Sequence, residues 1–455
     1  RNLLHDIPTA LLESLEKRKD FSKDSFLKAH EEAPVVSIRA NPLKMDHAEL
    51  LFPNMTPIPW HSNGYYLAER PSFVMDPLLH AGAYYVQEAS SMFVGEVLRQ
   101  TNINKASRVL DLCAAPGGKT TLLASYFSEG LVVGNEVIKT RASILVENAS
   151  KWGSGNIVVS NNDPKHFAQL PGYFDMMLID APCSGSGLFR KETDWREGWS
   201  DANVELCSQR QQRILADAYN ALKENGLLIY STCSFSQDED EDIVDWILDN
   251  FSVENIGMNL NENWGIEETL SEAHQAKSYR FYPGKAKGEG FFISVFRKKE
   301  TSGYPHFGGN ALELPSKNEK AILDKWLKNP DELFIYKNGN TFHTLPKRFA
   351  EDIQLLKNRL YLRKGGTELG DIKGKDLIPS PELALSMWNA ANTNRHEVDE
   401  ATAVQYLRKS DIERTDNMAN GWTLISYKQQ NLGWAKVLPN RVNNYFPMEW
   451  RIRKQ

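Results

Sequence analysis

An α/β fold, built on a parallel sheet covered on both faces, is expected from three observations. Short, near-continuous apolar runs recur between residues 108 and 231. Helical patterns separate them, as strand–helix–strand crossovers require. Polar acids stand at or just after the ends of successive runs: Asp111, Glu136, Asp163 and Asp180. At 455 residues the chain is also too long for one ordinary domain, and about two to four are expected.

In chain order, residues 8–16 and 25–30 read as two short helices. Residues 35–40 alternate faces like a strand, which Asn41-Pro42 ends. Strands of the sheet are expected over 108–112, 131–136, 157–160, 175–180 and 227–231, with helices over 118–127, 138–151 and 201–224. Ser236-Gln237-Asp238-Glu239 has the spacing of a capping box and opens an acidic helix, whose charge run reads as a solvated face. Residues 291–296 supply one more strand. Residues 301–318, with Gly303, Pro305, Gly308 and Gly309, read as a linker. Residues 421–427 and 432–438 read as a hairpin in a small, mostly-β module. The expected organisation is an N-terminal region over 1–105, the α/β domain over 106–300, the linker, a first C-terminal domain over 319–389 and a last one over 390–455.

The chain is 41% hydrophobic and 25% charged, which excludes a fibre or a disordered chain. No uncharged apolar run approaches the ~18 residues of a membrane span, and no secretory leader is read at the start. The four cysteines, Cys113, Cys183, Cys207 and Cys233, form no C-x2-C pair, and the histidines show no H-x3-H. Neither zinc nor a disulfide framework is expected, and the thiols suit a reducing cytoplasm. Net charge is −6, but residues 234–272 hold twelve acids and no Lys or Arg, so the rest of the chain is at +6. Nine Lys/Arg against four Asp/Glu make residues 401–455 locally basic.

The first strand runs into Asp111-Leu112-Cys113-Ala114-Ala115-Pro116-Gly117-Gly118-Lys119-Thr120. This Gly-rich turn matches neither G-x-G-x-x-G nor the P-loop spacing. Its small residues let backbone N–H groups at a helix start approach a ligand. Glu136, 25 positions after Asp111, is placed to accept hydrogen bonds from ribose hydroxyls. With Asp163 and Asp180 on the same sheet edge, a nucleoside-containing cofactor is expected. Asp180-Ala181-Pro182-Cys183-Ser184-Gly185-Ser186-Gly187 and Ser231-Thr232-Cys233-Ser234 then place two thiols at adjacent strand ends. A thiolate is a strong nucleophile where its surroundings favour it. Cys113 and Cys207 read as small buried groups rather than nucleophiles.

Together, DLCAAPGGKT, the Asn135-Glu136 pair, DAPCSGSG and YSTCS resemble the Nol/Nop/Sun class of RNA cytosine-5 methyltransferases. The segments 84–91, 37–41 and 237–242 resemble others of that class, so the likeness spans roughly residues 35–300. The closing Gly-Trp, Leu-Gly-Trp-Ala-Lys and Asn-x-Tyr-Phe-Pro pattern is similar to the PUA-like RNA-binding domain of the bacterial small-subunit rRNA methyltransferase F group. The resemblance implies a Rossmann-like methyltransferase that uses S-adenosyl-L-methionine, flanked by an N-terminal RNA-binding region and a PUA-like domain. Its implied reaction is C5 methylation of a cytidine in 16S ribosomal RNA. It implies Cys233 as nucleophile, Cys183 in product release and Asp180 on the cytosine ring. It also implies that Cys113, Ala114, Ala115, Pro116, Gly117, Gly118 and Lys119 bind the cofactor with Glu136, Arg141, Asp163 and Asp180. The residues alone do not order the two thiols.

Arg190-Lys191 is a candidate phosphate contact or a solvated loop. Trp422, Tyr427, Trp434, Tyr445 and Phe446 either stack on RNA or form the core of the last module. The implied partner is small-subunit rRNA, free or within the 30S particle, with a monomeric cytoplasmic enzyme, no membrane and no metal. Three rival readings are the same chemistry on transfer RNA, a non-catalytic rRNA-binding assembly factor and a nicotinamide dehydrogenase. The intact Asp180, Cys183 and Cys233 oppose the second, and the missing G-x-G-x-x-G opposes the third.

Overall fold

Residues 7–453 are described by a computed structural model. Helices α1 (Thr9–Glu16) and α2 (Lys23–Ala29) precede a small antiparallel sheet. Its strands β1 (Ser37–Ala40), β2 (Thr56–Pro57), β3 (Gly64–Tyr66) and β4 (Tyr84–Val86) lie in the order β2-β3-β1-β4. Helix α3 (Pro77–His80) precedes β4, and α4 (Phe93–Thr101) hands the chain to the main sheet. Polar groups around β1 clamp this unit onto the central one. Arg39 Nη2 donates to Gly118 O at 2.9 Å, Asn41 Nδ2 to Trp152 O at 2.8 Å and Lys44 Nζ to Lys151 O at 2.8 Å.

The central unit contains β5 (Arg108–Asp111), α5 (Gly118–Tyr126), β6 (Leu131–Asn135), α6 (Lys139–Trp152) and β7 (Ile157–Ser160). It continues through β8 (Phe174–Asp180), α7 (Trp195–Gly198), α8 (Asp201–Ala218), β9 (Leu222–Thr232) and α9 (Glu241–Asn250). Strands β10 (Val253–Asn255), β11 (Glu267–Leu270), β12 (Lys277–Phe281) and β13 (Phe291–Lys298) complete it. Strands β7-β6-β5-β8-β9 are parallel neighbours, β13 pairs antiparallel with β9, and β12 pairs antiparallel with β13. The strand order reverses between β5 and β8. Such a switch point leaves a crevice outside the carboxyl ends, where ligands bind.

Beyond a coil after β13 lie α10 (Lys317–Asp324), β14 (Leu333–Asn338), β15 (Thr341–Pro346), α11 (Ala350–Arg359) and β16 (Leu362–Gly365). Strands β17 (Thr367–Lys373) and β18 (Asp376–Pro379) and helix α12 (Pro381–Leu385) follow. Ser316 and Glu319 close a capping box on α10. Strand β16 pairs antiparallel with β7, Leu362 opposite Ser160, and so extends the central sheet. The last unit holds β19 (Arg395–Glu397), α13 (Glu400–Leu407), β20 (Gly421–Tyr427), β21 (Gln430–Val437) and β22 (Val442–Asn444). The expected hairpin is β20–β21.

Three expectations are corrected. The helix expected to reach residue 224 stops at Ala218, and β9 starts at Leu222 because it pairs there with Phe174 of β8. No capping box forms at Ser236, whose side chain makes no cap bond. The acidic run is not simply a solvated face, for Asp240 and Glu241 are buried. Arg280 Nη2 lies 3.0 Å from Asp240 Oδ2 and 2.6 Å from Glu241 Oε1, and Arg18 Nη2 lies 3.1 Å from Glu241 Oε2. A buried carboxylate needs such partners. Both arginines come from outside the acidic stretch, so local composition could not reveal them.

Candidate active site

A cleft of about 610 Å³ opens at the carboxyl ends of the central strands. Its volume falls in the ~300–1,000 Å³ range of small-molecule sites. Glu136, Val137, Ile138 and Asp163 line one part, and Asp180, Cys183 and Cys233 another. The topology therefore gathers the two thiols and all the cofactor acids but Asp111 around one opening.

Glu136 follows β6 and is buried. Its Oε2 accepts the Ile138 N–H at 3.0 Å, and its Oε1 lies 3.6 Å from Arg141 Nη1. Arg141 Nη2 also donates to Ala115 O at 3.0 Å, so this side chain braces Glu136 against the Gly-rich turn. Asn135 ties neighbouring strand ends together: Nδ2 donates to Leu112 O at 3.2 Å and Asn162 O at 2.9 Å. Asp163 caps a short 3-10 turn, its Oδ1 accepting the Lys165 N–H at 3.0 Å, and still lines the cleft. This donor set fits a nucleoside. Glu136 brings a carboxylate to the cleft that ribose hydroxyls could meet, and Val137, Ile138, Pro164 and Ile214 offer apolar surface for a flat base.

The Gly-rich turn itself borders a smaller cavity of about 180 Å³, shared with Tyr85, Gln87, Ser91 and Asp111. Gly117, the residue just before α5, has φ +122°, a conformation that side chains rarely adopt. Burial pushes the Asp111 carboxyl up to about 7, although its Oδ2 accepts the Thr120 hydroxyl at 2.7 Å. Burial likewise holds the Cys113 thiol well above its usual range, which suits a lining group rather than a nucleophile. Cys207 is buried on α8, and burial raises its thiol too.

At the end of the cleft that holds the two thiols, Lys119 Nζ stands 2.9 Å from Asp180 Oδ2, and Ser231 Oγ donates to Asp180 Oδ1 at 2.7 Å. Burial alone would lower the Lys119 ammonium, but Asp180 outweighs it and the net shift is upward. Cys183 Sγ lies 3.2 Å from Cys233 Sγ. That hydrogen bond, followed by burial and the Cys233 charge, holds Cys183 well above the ordinary thiol range. Glu239 fastens the two thiol loops: it accepts Ser184 N–H at 2.8 Å and Ser184 Oγ at 2.6 Å, and it also accepts the Ser234 hydroxyl. Gly187 N–H donates to Cys233 O at 2.6 Å and locks the loops a second time.

Sequence reasoning missed the Lys119–Asp180 pair and the bracing by Glu239. A usable signal was present: Cys183 and Cys233 each precede a serine, Ser184 and Ser234, and both hydroxyls meet Glu239. The apparent capping box instead assigned Glu239 to Ser236. Arg190 is corrected as well. It is buried against Glu289, with Nε 2.8 Å from Oε1, and donates to Ala29 O at 3.3 Å. It is therefore neither a solvated side chain nor a free phosphate contact, whereas Lys191 stays exposed. Among the C-terminal aromatics, Trp434, Phe446 and Tyr427 are core. Trp422 and Tyr445 remain on the surface side, ring centroids 4.5 Å apart, with Lys436 Nζ 5.3 Å from the Trp422 ring.

Comparison with known proteins matches three families along the chain. The N-terminal domain of 16S rRNA methyltransferase RsmF matches residues 7–89, 16S rRNA methyltransferase RsmB/F residues 99–297, and the methyltransferase RsmF PUA domain residues 393–452. A ribosomal RNA small subunit methyltransferase F of Vibrio cholerae is 30% identical, over 91% of this chain and 90% of that one. The protein of the same name from Aliivibrio salmonicida is 29% identical over 98% of both. Among solved structures, a methyltransferase homologue protein from Pyrococcus horikoshii is 28% identical with a TM-score of 0.52, over 64% of this chain and 100% of that one.

Proposed function

The chain belongs to the ribosomal RNA small subunit methyltransferase F family: it is an S-adenosylmethionine-dependent 16S rRNA methyltransferase of the cytosine-5 type, and we propose that it works through a covalent adduct of Cys233. The observation that carries this mechanism is the Cys183–Cys233 contact of 3.2 Å beside Asp180. Cytosine C5 is a weak nucleophile. Addition of Cys233 Sγ to C6 makes C5 enamine-like, and covalent catalysis of this kind divides one hard step into easier ones. S-adenosylmethionine, when bound, supplies the electrophilic methyl group.

Each residue then has a defined task. Cys183, whose thiol is held protonated by its contact with Cys233 and by burial, stands 3.2 Å from Cys233 Sγ, within reach of the same cytosine ring. Asp180 hydrogen-bonds the cytosine ring, and Lys119 and Ser231 fix the orientation of its carboxylate. Once C5 carries the methyl and the demethylated cofactor has been left behind, a base takes the C5 proton, the C5–H electron pair re-forms the C5–C6 double bond and Cys233 leaves C6 as its thiolate, with Cys183 serving this release. Glu136, braced by Arg141, holds the ribose of the cofactor, while the backbone of residues 113–119 and Asp163 complete its site. The N-terminal unit, residues 7–105, and the last unit, 390–453, are proposed to hold small-subunit rRNA, free or in the 30S particle. A monomer in the cytoplasm suffices for this reading. No helix among the described residues is long and apolar enough to cross a membrane, and none of their His, Cys, Asp and Glu clusters could hold a metal ion.

Denaturing electrophoresis tests the mechanism after incubation with unmodified 16S rRNA and cofactor. A slowly migrating protein–RNA species should accumulate with Cys183→Ala and be absent from Cys233→Ala and from the double variant. An adduct formed only by Cys233→Ala would reverse the roles. Methylation without an adduct in any variant would sink the covalent route.

A further inference from the structure

Three side chains at the cleft take no part in these chemical steps. Trp195 opens α7 and is 46% exposed, yet it lines the same cleft as Cys183 and Cys233. Beneath it runs Gly185, at φ +79°, where a Cβ would lie 2.9 Å from Trp195 Cε3. The absence of a side chain at 185 therefore lets the indole lie on the loop that carries Cys183. Arg210 and Arg213 sit one turn apart on α8, are both exposed and line the same cleft. Among the described residues neither guanidinium has a carboxylate partner.

Stability explains none of this. A half-exposed indole forfeits burial, and like charges three positions apart on a helix repel. A polyanion that brings a planar base to the thiols accounts for all three. A nucleotide drawn out of its stack loses base–base contact, and an aromatic ring restores part of it. The phosphates of the strand follow the base to the rim, where two cations one helical turn apart can meet them.

We propose that Trp195 is the platform on which the base carried into the cleft stacks, and that Arg210 and Arg213 hold the phosphates beside it. This inference rests on the reading of the cleft as the site of cytidine methylation. It separates RNA-holding groups, Trp195, Arg210 and Arg213, from the cofactor-holding groups Glu136 and Asp163.

The test uses the full chain with unmodified 16S rRNA, naked and assembled into 30S particles. Trp195→Ala should raise KM for RNA about tenfold or more, and Trp195→Phe should restore most of it. The double variant Arg210→Ala, Arg213→Ala should flatten the slope of log affinity against log salt by about one to two. Calorimetric affinity for S-adenosylmethionine should stay within about twofold throughout, since no proposed cofactor contact is altered. An unchanged KM and salt slope would overturn the inference. So would a matching loss of cofactor affinity, which would place these residues in the nucleoside site. Absence of methyl transfer by the unaltered chain would instead remove the methylation reading, and the inference with it.

Discussion

At the scale of single residues, the placement of the two thiol loops depends on a backbone approach that only glycine permits. A Cβ on Gly187 would lie 2.5 Å from Cys233 O and 2.6 Å from Gly290 O. Both neighbours are main chain and cannot rotate away, so Gly187→Ala must push the two thiol loops apart. Overpacking of this kind costs about 1–3 kcal/mol. The variant should unfold several degrees lower and form the Cys233 adduct at least about tenfold more slowly, since small misplacements of reacting groups are costly. Thermal unfolding and adduct yield check both, with cofactor affinity as the control. That Cys183 and Cys233 come together was legible, because each follows an apolar run that reads as a strand of one parallel sheet. Lys119 could not be read as the partner of Asp180, because the pair joins the first turn of α5 to the end of β8, 61 positions apart.

The elements of the central sheet were legible because each parallel strand buries both faces and reads as a continuous apolar run. The acidic helix α9 was legible as a helix and misread as a surface. Its sequence shows carboxylates; it does not show Arg18 and Arg280 arriving from α1's end and β12. Burial alone would raise the Glu241 carboxyl, but Arg280 and then Arg18 outweigh it and hold the group at about 2, below its usual 4.5. The sign follows from linkage. A carboxylate with a depressed folded value contributes stability that is present above the unfolded value. That contribution is lost as pH falls from about 4.5 towards 2. Urea unfolding should therefore show stability dropping through this window. In Glu241→Gln this step should shrink. Arg280→Ala should cost about 3–5 kcal/mol at neutral pH, because it strands the buried Asp240 carboxyl and leaves Glu241 with Arg18 alone. An unchanged acid profile in Glu241→Gln would show that other groups govern it.

Across the whole molecule, the boundaries read from composition do not coincide with the cores. Ile38, Leu78 and Tyr84 of the N-terminal unit share one apolar cluster with Tyr406, Leu407 and Phe446 of the last unit. Phe349, Ile353 and Leu356 of the third unit pack with Leu110, Ile179 and Leu228 of the central sheet. Trp434 packs in one cluster with Leu323, Leu369 and Leu383, and its Nε1 donates to Ser380 O at 3.0 Å. A hydrophobic surface covered by a distant segment leaves no local trace in the sequence, so a linker over 301–318 looked like a boundary between independent parts. Removing residues 390–455 therefore has a structural consequence. Such a truncation uncovers the apolar face of the N-terminal unit, and exposed apolar patches of this kind lead to aggregation. It should lower the unfolding temperature and the soluble yield, so a loss of RNA binding in the truncated chain would say little about contacts. Charge reversal on the intact fold separates the two effects. Lys428 and Arg441 are exposed and Lys436 is partly so, beside Trp422. If this unit holds RNA, Lys428→Glu, Lys436→Glu and Arg441→Glu should weaken RNA binding, each lowering the salt slope by about one where it meets a phosphate. Surface substitutions of this kind usually change stability by less than about 0.5 kcal/mol, so unfolding temperature and cofactor affinity should hold. Unchanged RNA affinity and slope in the triple variant would reduce the last unit to a buttress for the N-terminal sheet.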